Sequence, residues 1–421
     1  MDNSECIKCL MQKNIVVAVG CTEPVAVALC VAKAKEILNK EVEEIELKLS
    51  KNIIKNAMGV GIPATGMVGL PIAIALGVVC GDSSKELEVL GNAKDNVEKA
   101  KDWLKTHSIN MSAAQTDEKL YIECIAKNKD SFAKTIIAQT HTNFIHIESN
   151  GEVILHKDLQ SDNNCTSDDI LEKLNAKMIW DYATDEPIEN LEWINDTVAL
   201  NGKCSEESLK GNYGLQIGKN LFNSWDKSIR SEIIGRSCAA CDARMDGITL
   251  PIYSNSGSGN QGITCTLPVY YFGVKKNSPK EDITRALTLS HLMSIYIKSK
   301  IGRLSALCGV VNASMGAASG ITYLSGGTFQ QMCYAINNMI NTITGVVCDG
   351  AKPSCSLKMS ACLNSAFDSV MLAMKDIVVD STDGIAEKDI DRSIEDVGRI
   401  GKYAMDSMDD MVLDIMTHKK H

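Results

Sequence analysis

Cys308 and Cys348 lie near the two ends of a 45-residue stretch, 304–348, that contains no Asp, Glu, Lys or Arg. Cys355 follows in Cys348-Asp349-Gly350-Ala351-Lys352-Pro353-Ser354-Cys355, where Gly350 and Pro353 mark a loop between helices. Two cysteines on such a loop can face one centre, and a third can reach it from a neighbouring helix. Three thiolates can hold a [4Fe–4S] cluster at three irons and leave the fourth open, unlike the four-cysteine electron-transfer arrangement. An open iron is a Lewis acid able to take a substrate oxygen or sulfur. Spacing alone also fits three small buried thiols.

Cys21 opens a predicted helix in Gly20-Cys21-Thr22-Glu23-Pro24, with Thr22 as a cap and Pro24 in the first turn. A helix N-terminus favours the thiolate, which would make Cys21 a base, a nucleophile or a metal ligand. The alternative is a buried structural cysteine. The run from Ser254 to Gly262 includes Ser256, Ser258, Asn260 and Gln261. Its backbone N–H groups, short polar side chains and glycines suit a carboxylate or phosphate. No Gly-Lys-Ser/Thr follows, so it is not a P-loop. Leu250-Pro251-Ile252 and Leu267-Pro268-Val269 flank the run and place it inside the fold. Asn52 and Lys55, just before Gly59-Val60-Gly61-Ile62-Pro63, form a second candidate anion site, unless Lys55 is simply solvated. Among seven histidines, His141 and His291 are the candidate acid–base groups, against the reading of each as structural. Cys6-Ile7-Lys8-Cys9 and Cys238-Ala239-Ala240-Cys241 lack the context of a redox or zinc motif and read as incidental.

The elements that must position these residues follow from periodicity. Residues 10–37 read as helix interrupted at Gly20–Pro24, 42–50 as a strand, and 87–106 as a charged amphipathic helix. Leu120–Ala126, Ala133–Gln139, Asn143–Ser149 and Glu152–Leu155 read as strands. The predicted fold is α+β: a small N-terminal domain with a short sheet over 1–160, a polar linker with a short helix over 161–189, and a large, mostly helical domain over 190–421. Residues 247–274 give no clear assignment. Three stretches, 56–81, 247–274 and 304–348, carry no charge. They are rich in Gly, Ser, Thr and Asn rather than continuously apolar. This predicts buried helices of a water-poor centre in preference to membrane spans.

Composition excludes several classes. With 421 residues the chain is long enough for two or three domains. Forty-three basic against 53 acidic residues, a net charge of −10, argue against wrapping nucleic acid or resting on an anionic membrane. The polar start carries no signal peptide, which predicts a cytoplasmic chain with its sixteen cysteines reduced.

In series, these motifs resemble the L-cysteine desulfidase family, related to the iron–sulfur L-serine dehydratase alpha chain. The matching segments are Gly20 to Pro24, Asn52 with Lys55-Asn56, Pro63 to Gly69, His141-Thr142-Asn143 and Gly211 to Leu215. They continue with Asp242-Ala243-Arg244-Met245, the Ser254–Gly262 run, Arg303 to Cys308, and Cys348 to Ala351 with Ser354-Cys355. Ala64 and Cys241 depart from the family pattern, where Gly and Ser are expected. The resemblance implies breakdown of L-cysteine to pyruvate, ammonia and sulfide by a [4Fe–4S] cluster with one open iron and no pyridoxal phosphate. By similarity to the serine dehydratases, Cys308, Cys348 and Cys355 hold the cluster. Cys21, or else His141, takes the Cα proton. Asn52, Lys55, Ser256, Ser258, Asn260 and Gln261 bind substrate. The competing assignment makes Cys21 a ligand and leaves Cys355 out. The implied partner is a small amino acid, with no nucleic acid and no membrane; a homo-oligomer is compatible. Two rivals are an L-serine dehydratase on the same scaffold and a non-catalytic iron–sulfur or cysteine sensor.

Overall fold

The computed structural model describes residues 3–159, 166–225, 227–302 and 305–419. Alternation in Glu44–Leu49 buries Ile45, Leu47 and Leu49 and leaves Lys48 exposed, the signature of a one-sided strand. It pairs antiparallel with Tyr121–Asn128 and parallel with Ser108–Ala113. Ser131–Ala138, Phe144–Ser149 and Glu152–His156 add in antiparallel order to complete six strands. The edge strand Ser108–Ala113 escapes a reading by alternation because it is largely exposed and buries no alternate face. The helix predicted over 87–106 begins only at Val97. Before it, Ser83–Glu88 and Ala93–Asn96 form short 3₁₀ turns, where Ser, Asp and Asn side chains compete with helical bonding.

Thr22–Leu38 covers the sheet and is buried nearly all round, because Leu70–Cys80 packs on its other side. This accounts for the charge-free stretch 56–81. Ala64, where the family pattern expects glycine, has φ +67°, a left-handed conformation that favours glycine.

The larger part is helical. Gly309–Leu324 is its central helix, surrounded by Gly259–Lys275, Lys280–Ile301, Phe329–Ile343 and Cys355–Ala373. Small residues allow the close approach: a Cβ at Gly316 would lie 2.3 Å from Ser290 O. Its hydroxyl groups bond back to the helix, as Ser319 Oγ donates to Met315 O and Thr322 Oγ1 to Ala318 O, while Asn312 Nδ2 donates across to Gln261 Oε1. Among the described residues no helix is long and apolar enough to cross a membrane. The architecture is α+β.

The segment expected as a linker, 161–189, departs from that expectation. It carries the helices Thr166–Lys173 and Ala176–Asp185, and Ile170, Leu174 and Ile179 belong to the common buried core. Residues 160–165 fall outside the described ones. That core runs from Ile7 to Met405 and so unites the sheet and helical parts. A short seam joins them as well: Val17–Ala18 pairs antiparallel with Ile252–Tyr253, and Ser254 and Ser256 donate their N–H groups to Val16 O and Asn14 O. The seam sets the Ser254–Gly262 run against the turn that carries Cys21.

Candidate active site

A cavity of about 100 Å³ lies at this seam. Cys21, His141, Ser256, Ser258, Asn260, Gln261, Cys308, Cys348 and Cys355 all line it. Asn52 and Lys55 do not. Both are buried behind its wall, and Lys55 Nζ is ion-paired with Asp409. The structure does not bring these two into the cavity lining with the other expected site residues. Arg303 and Leu304 of the family-like segment lie outside the described residues, and neither CxxC pair lines the cavity.

Four helices begin at this cavity. Cys21 is the cap residue of Thr22–Leu38, Ser258 of Gly259–Lys275 and Cys308 of Gly309–Leu324, while Cys355 is the first residue of Cys355–Ala373. None of the four starts is closed by a capping side chain. Their N–H groups and dipoles therefore turn a partial positive charge on the cavity, suited to thiolates and carboxylates. Thr22, expected as the cap, is inside its helix, and its Oγ1 lies 3.2 Å from Gly257 O.

A two-strand bridge at Leu307 and Val347 brings Cys308 and Cys348 together, through Cys308 N to Val346 O at 2.9 Å and Cys348 N to Ala306 O at 2.6 Å. The Cys308 thiol donates to Cys348 sulfur, which lowers Cys348 despite its burial; Lys55 and Lys358 add to the effect. Burial raises Cys355. Gly350, between the last two cysteines, has φ +94°, and a Cβ there would lie 2.1 Å from Lys55 O, so the turn admits only glycine.

Cys21 departs from the thiolate expected at a helix N-terminus. Burial pushes it up to about 12, and the opposing pull of Arg244, whose Nη2 lies 3.5 Å from Cys21 Sγ, does not offset this. Depth of burial wins over the helix end.

His291 is not at the cavity. Asn255 Nδ2 donates to its Nδ1 at 3.1 Å, which leaves Nε2–H to donate to Thr266 Oγ1 at 2.9 Å. It fixes Asn255 at the base of the Ser254–Gly262 run. Burial pushes its pKa down to about 3 from 6.5. Below pH 6.5 the unfolded chain binds a proton that the folded chain refuses until about pH 3. The stability from this site is intact above 6.5 and falls with pH by about 1.4 kcal/mol per unit. Denaturation midpoints between pH 7 and 5 should fall more steeply for wild type than for His291→Asn.

Sequence reasoning gave no role to Arg244, Glu23, Asn56 or Lys298, which also line the cavity. Arg244 is fully buried and donates to Asn260 Oδ1 at 3.1 Å. Glu23 accepts from Asn56 Nδ2 at 3.1 Å. The available signal was a charge inside a motif, Glu23 in Gly-Cys-Thr-Glu-Pro and Arg244 beside Asp242 in Asp-Ala-Arg-Met.

Among the described residues, no three His, Cys, Asp or Glu side chains converge closely enough to hold a single metal ion. Cys308, Cys348 and Cys355 share the lining of one cavity, the first two in hydrogen-bond contact. Cysteine sulfur is a soft ligand of the kind that holds iron–sulfur clusters, so the donor set is compatible with one.

A family model described as serine dehydratase alpha chain matches residues 84–414. The chain belongs to the serine dehydratase alpha chain family. It is 48% identical to the "UPF0597 protein" of Phocaeicola vulgatus over 99% of this chain and 98% of that one. It is also 48% identical to that of Bacteroides thetaiotaomicron, over 97% of both chains. The relative from Clostridium perfringens strain SM101 is 41% identical, again over 97% of both. Membership of the serine dehydratase alpha chain family supports a lyase of that kind.

Proposed function

We propose that this chain is a [4Fe–4S]-dependent lyase that breaks L-cysteine into pyruvate, ammonia and sulfide. The observation that carries this is the presence of Cys308, Cys348 and Cys355 in the lining of one cavity faced by four helix N-termini. These three cysteines would hold the cluster. When bound, a cluster with an open iron supplies a Lewis acid that stabilises a departing thiolate or hydroxide.

The chain's own residues do the rest. The Cα–H of an amino acid is a poor acid, so its carboxylate must be fixed where negative charge develops. The start of Gly259–Lys275, with Ser256, Ser258, Asn260 and Gln261, offers that fixed electrostatic cradle. Cys21 and His141 are the candidate acceptors of the Cα proton. Cys21 can serve only as thiolate, and Arg244 Nη2 is the group placed to hold that form. The electrons of the C–H bond form the Cα–Cβ double bond, and those of the C–S bond leave with sulfur. Aminoacrylate is released, becomes an imine and hydrolyses to pyruvate and ammonia. The division into residues 1–160 and 190–421 then has meaning for function, since Cys21 and the cluster cysteines come from opposite sides.

The family description favours a second reading, L-serine as substrate with hydroxide leaving. Steady-state rates under exclusion of oxygen separate the two. The expected result is a kcat/KM for L-cysteine at least about tenfold above that for L-serine, a difference of about 1.4 kcal/mol in transition-state binding. The reverse order would assign serine, and turnover of neither by iron-loaded protein would remove both.

A further inference from the structure

We infer that Arg244 and Glu23 are two fixed charge poles that read the zwitterion of an α-amino acid, its carboxylate at Arg244 and its ammonium at Glu23 with Asn56. The choice of amino acid turned over rests on the lyase reading above, but the charge recognition is independent of turnover.

A buried guanidinium is costly unless a negative group neutralises it. Arg244 is 4% exposed, and among the described residues no carboxylate forms an ion pair with it. Its Nη1 donates to a neutral amide, Asn260 Oδ1, its Nη2 to Cys21 Sγ, and its buried Nε has no partner. The chain makes room for it: a Cβ at Gly259 would lie 2.1 Å from Arg244 Nε. The guanidinium thus sits against the start of Gly259–Lys275, so its positive charge and that helix end reinforce each other. An anion at this point would satisfy both.

Glu23 is the one carboxylate among the described residues that line the cavity. It is held in place by Asn56 Nδ2 at 3.1 Å and Thr22 Oγ1 at 3.1 Å. Asn56 Oδ1 is buried on the same wall with no hydrogen-bond partner. A carboxylate and an unused amide oxygen side by side suit a group with several N–H donors, which an ammonium is. Arg244 and Glu23 are near enough to influence each other, yet no ion pair within 4 Å joins them. Opposite charges held apart, each with unused bonding capacity, match a zwitterion. A ligand that lacks either charge would leave one pole uncompensated, and such sites discriminate strongly.

L-Alanine tests this without turnover, since it carries both charges and no leaving group. Its binding to the anaerobically purified protein is measured by calorimetry beside that of L-lactate, which lacks the ammonium, and ethylamine, which lacks the carboxylate. Wild type should bind L-alanine roughly 10- to 100-fold more tightly than either. Glu23→Gln should collapse the alanine-to-lactate ratio. Arg244→Lys, which keeps a charge but not the planar fork, should weaken both carboxylates roughly tenfold while circular dichroism stays unchanged. An unchanged ratio in Glu23→Gln, or equal binding of L-lactate and L-alanine by wild type, would overturn the inference. Turnover of cysteine or serine with no L-alanine binding would also overturn it and leave the lyase reading standing. Discrimination without turnover of either amino acid would do the opposite.

Discussion

Cys308→Ala is expected to bleach the iron–sulfur absorbance and abolish turnover, a loss of more than about 1,000-fold in kcat/KM. Cys348→Ala and Cys355→Ala should do the same. Cys21→Ala should keep the colour and lose only turnover. The pattern follows from the position of each sulfur. Cys308 and Cys348 meet through the short Leu307–Val347 bridge, and Cys355 starts the helix that ends their loop. Cys21 comes from the N-terminal part of the chain and has a cation, Arg244 Nη2, already 3.5 Å away. The competing assignment predicts a different pattern, with colour lost in Cys21→Ala and kept in Cys355→Ala. Each substitution removes little buried volume, on the order of 1 kcal/mol. A variant that is colourless but melts near wild type has therefore lost a ligand rather than its fold.

Lys55→Met should cost about 3–5 kcal/mol of stability, because it leaves the Asp409 carboxylate buried without its partner. The side chains of Lys55 and Asp409 are 1% and 9% exposed, and Asp409 Oδ2 has no other partner. The double variant Lys55→Met with Asp409→Leu should recover much of the loss, since a well-packed apolar pair avoids the penalty altogether. Two further pairs tie the same C-terminal helix, Asp406–Thr417, to the sheet part: Lys119–Asp406 and Lys51–Asp410, both 2.6 Å. Their side chains are largely exposed, so removing either should matter far less, within about 1 kcal/mol. Urea midpoints for the three lysine variants check this ranking. If Lys55 instead held substrate, Lys55→Met would raise KM and leave the midpoint where it was.

The strands were the most legible part of the fold, because a one-sided sheet writes its burial into alternate residues, as in Glu44–Leu49. Ser108–Ala113 was not legible, because an edge strand with solvent on nearly every side chain leaves no alternation to read. The segment 161–189 was misread because its polar composition masks the few apolar residues, such as Ile179, that dock it. At the cavity, cysteine type and glycine punctuation left Cys308, Cys348 and Cys355 open between ligands and buried thiols; the family resemblance singled them out, and all three line the cavity. The start of a helix at Cys21 was legible too, but its depth of burial, which reverses the expected charge of the thiol, was not. The ion pair of Lys55 was not legible because its counter-charge lies 354 residues away. Arg244 was passed over for a related reason: one of several charges in a helix reads as solvated until the packing around it is known. His291 looked as catalytic as His141. What separates them is that one lines the cavity and the other holds Asn255.

The most direct test of the central claim is a measurement of iron and acid-labile sulfide on protein purified without oxygen, followed by reconstitution with iron and sulfide. About four of each per chain is expected for wild type. The triple variant Cys308→Ala, Cys348→Ala, Cys355→Ala should hold almost none. Full iron and sulfide content in the triple variant, or a wild-type protein that stays colourless after reconstitution, would contradict a cluster held by these three cysteines.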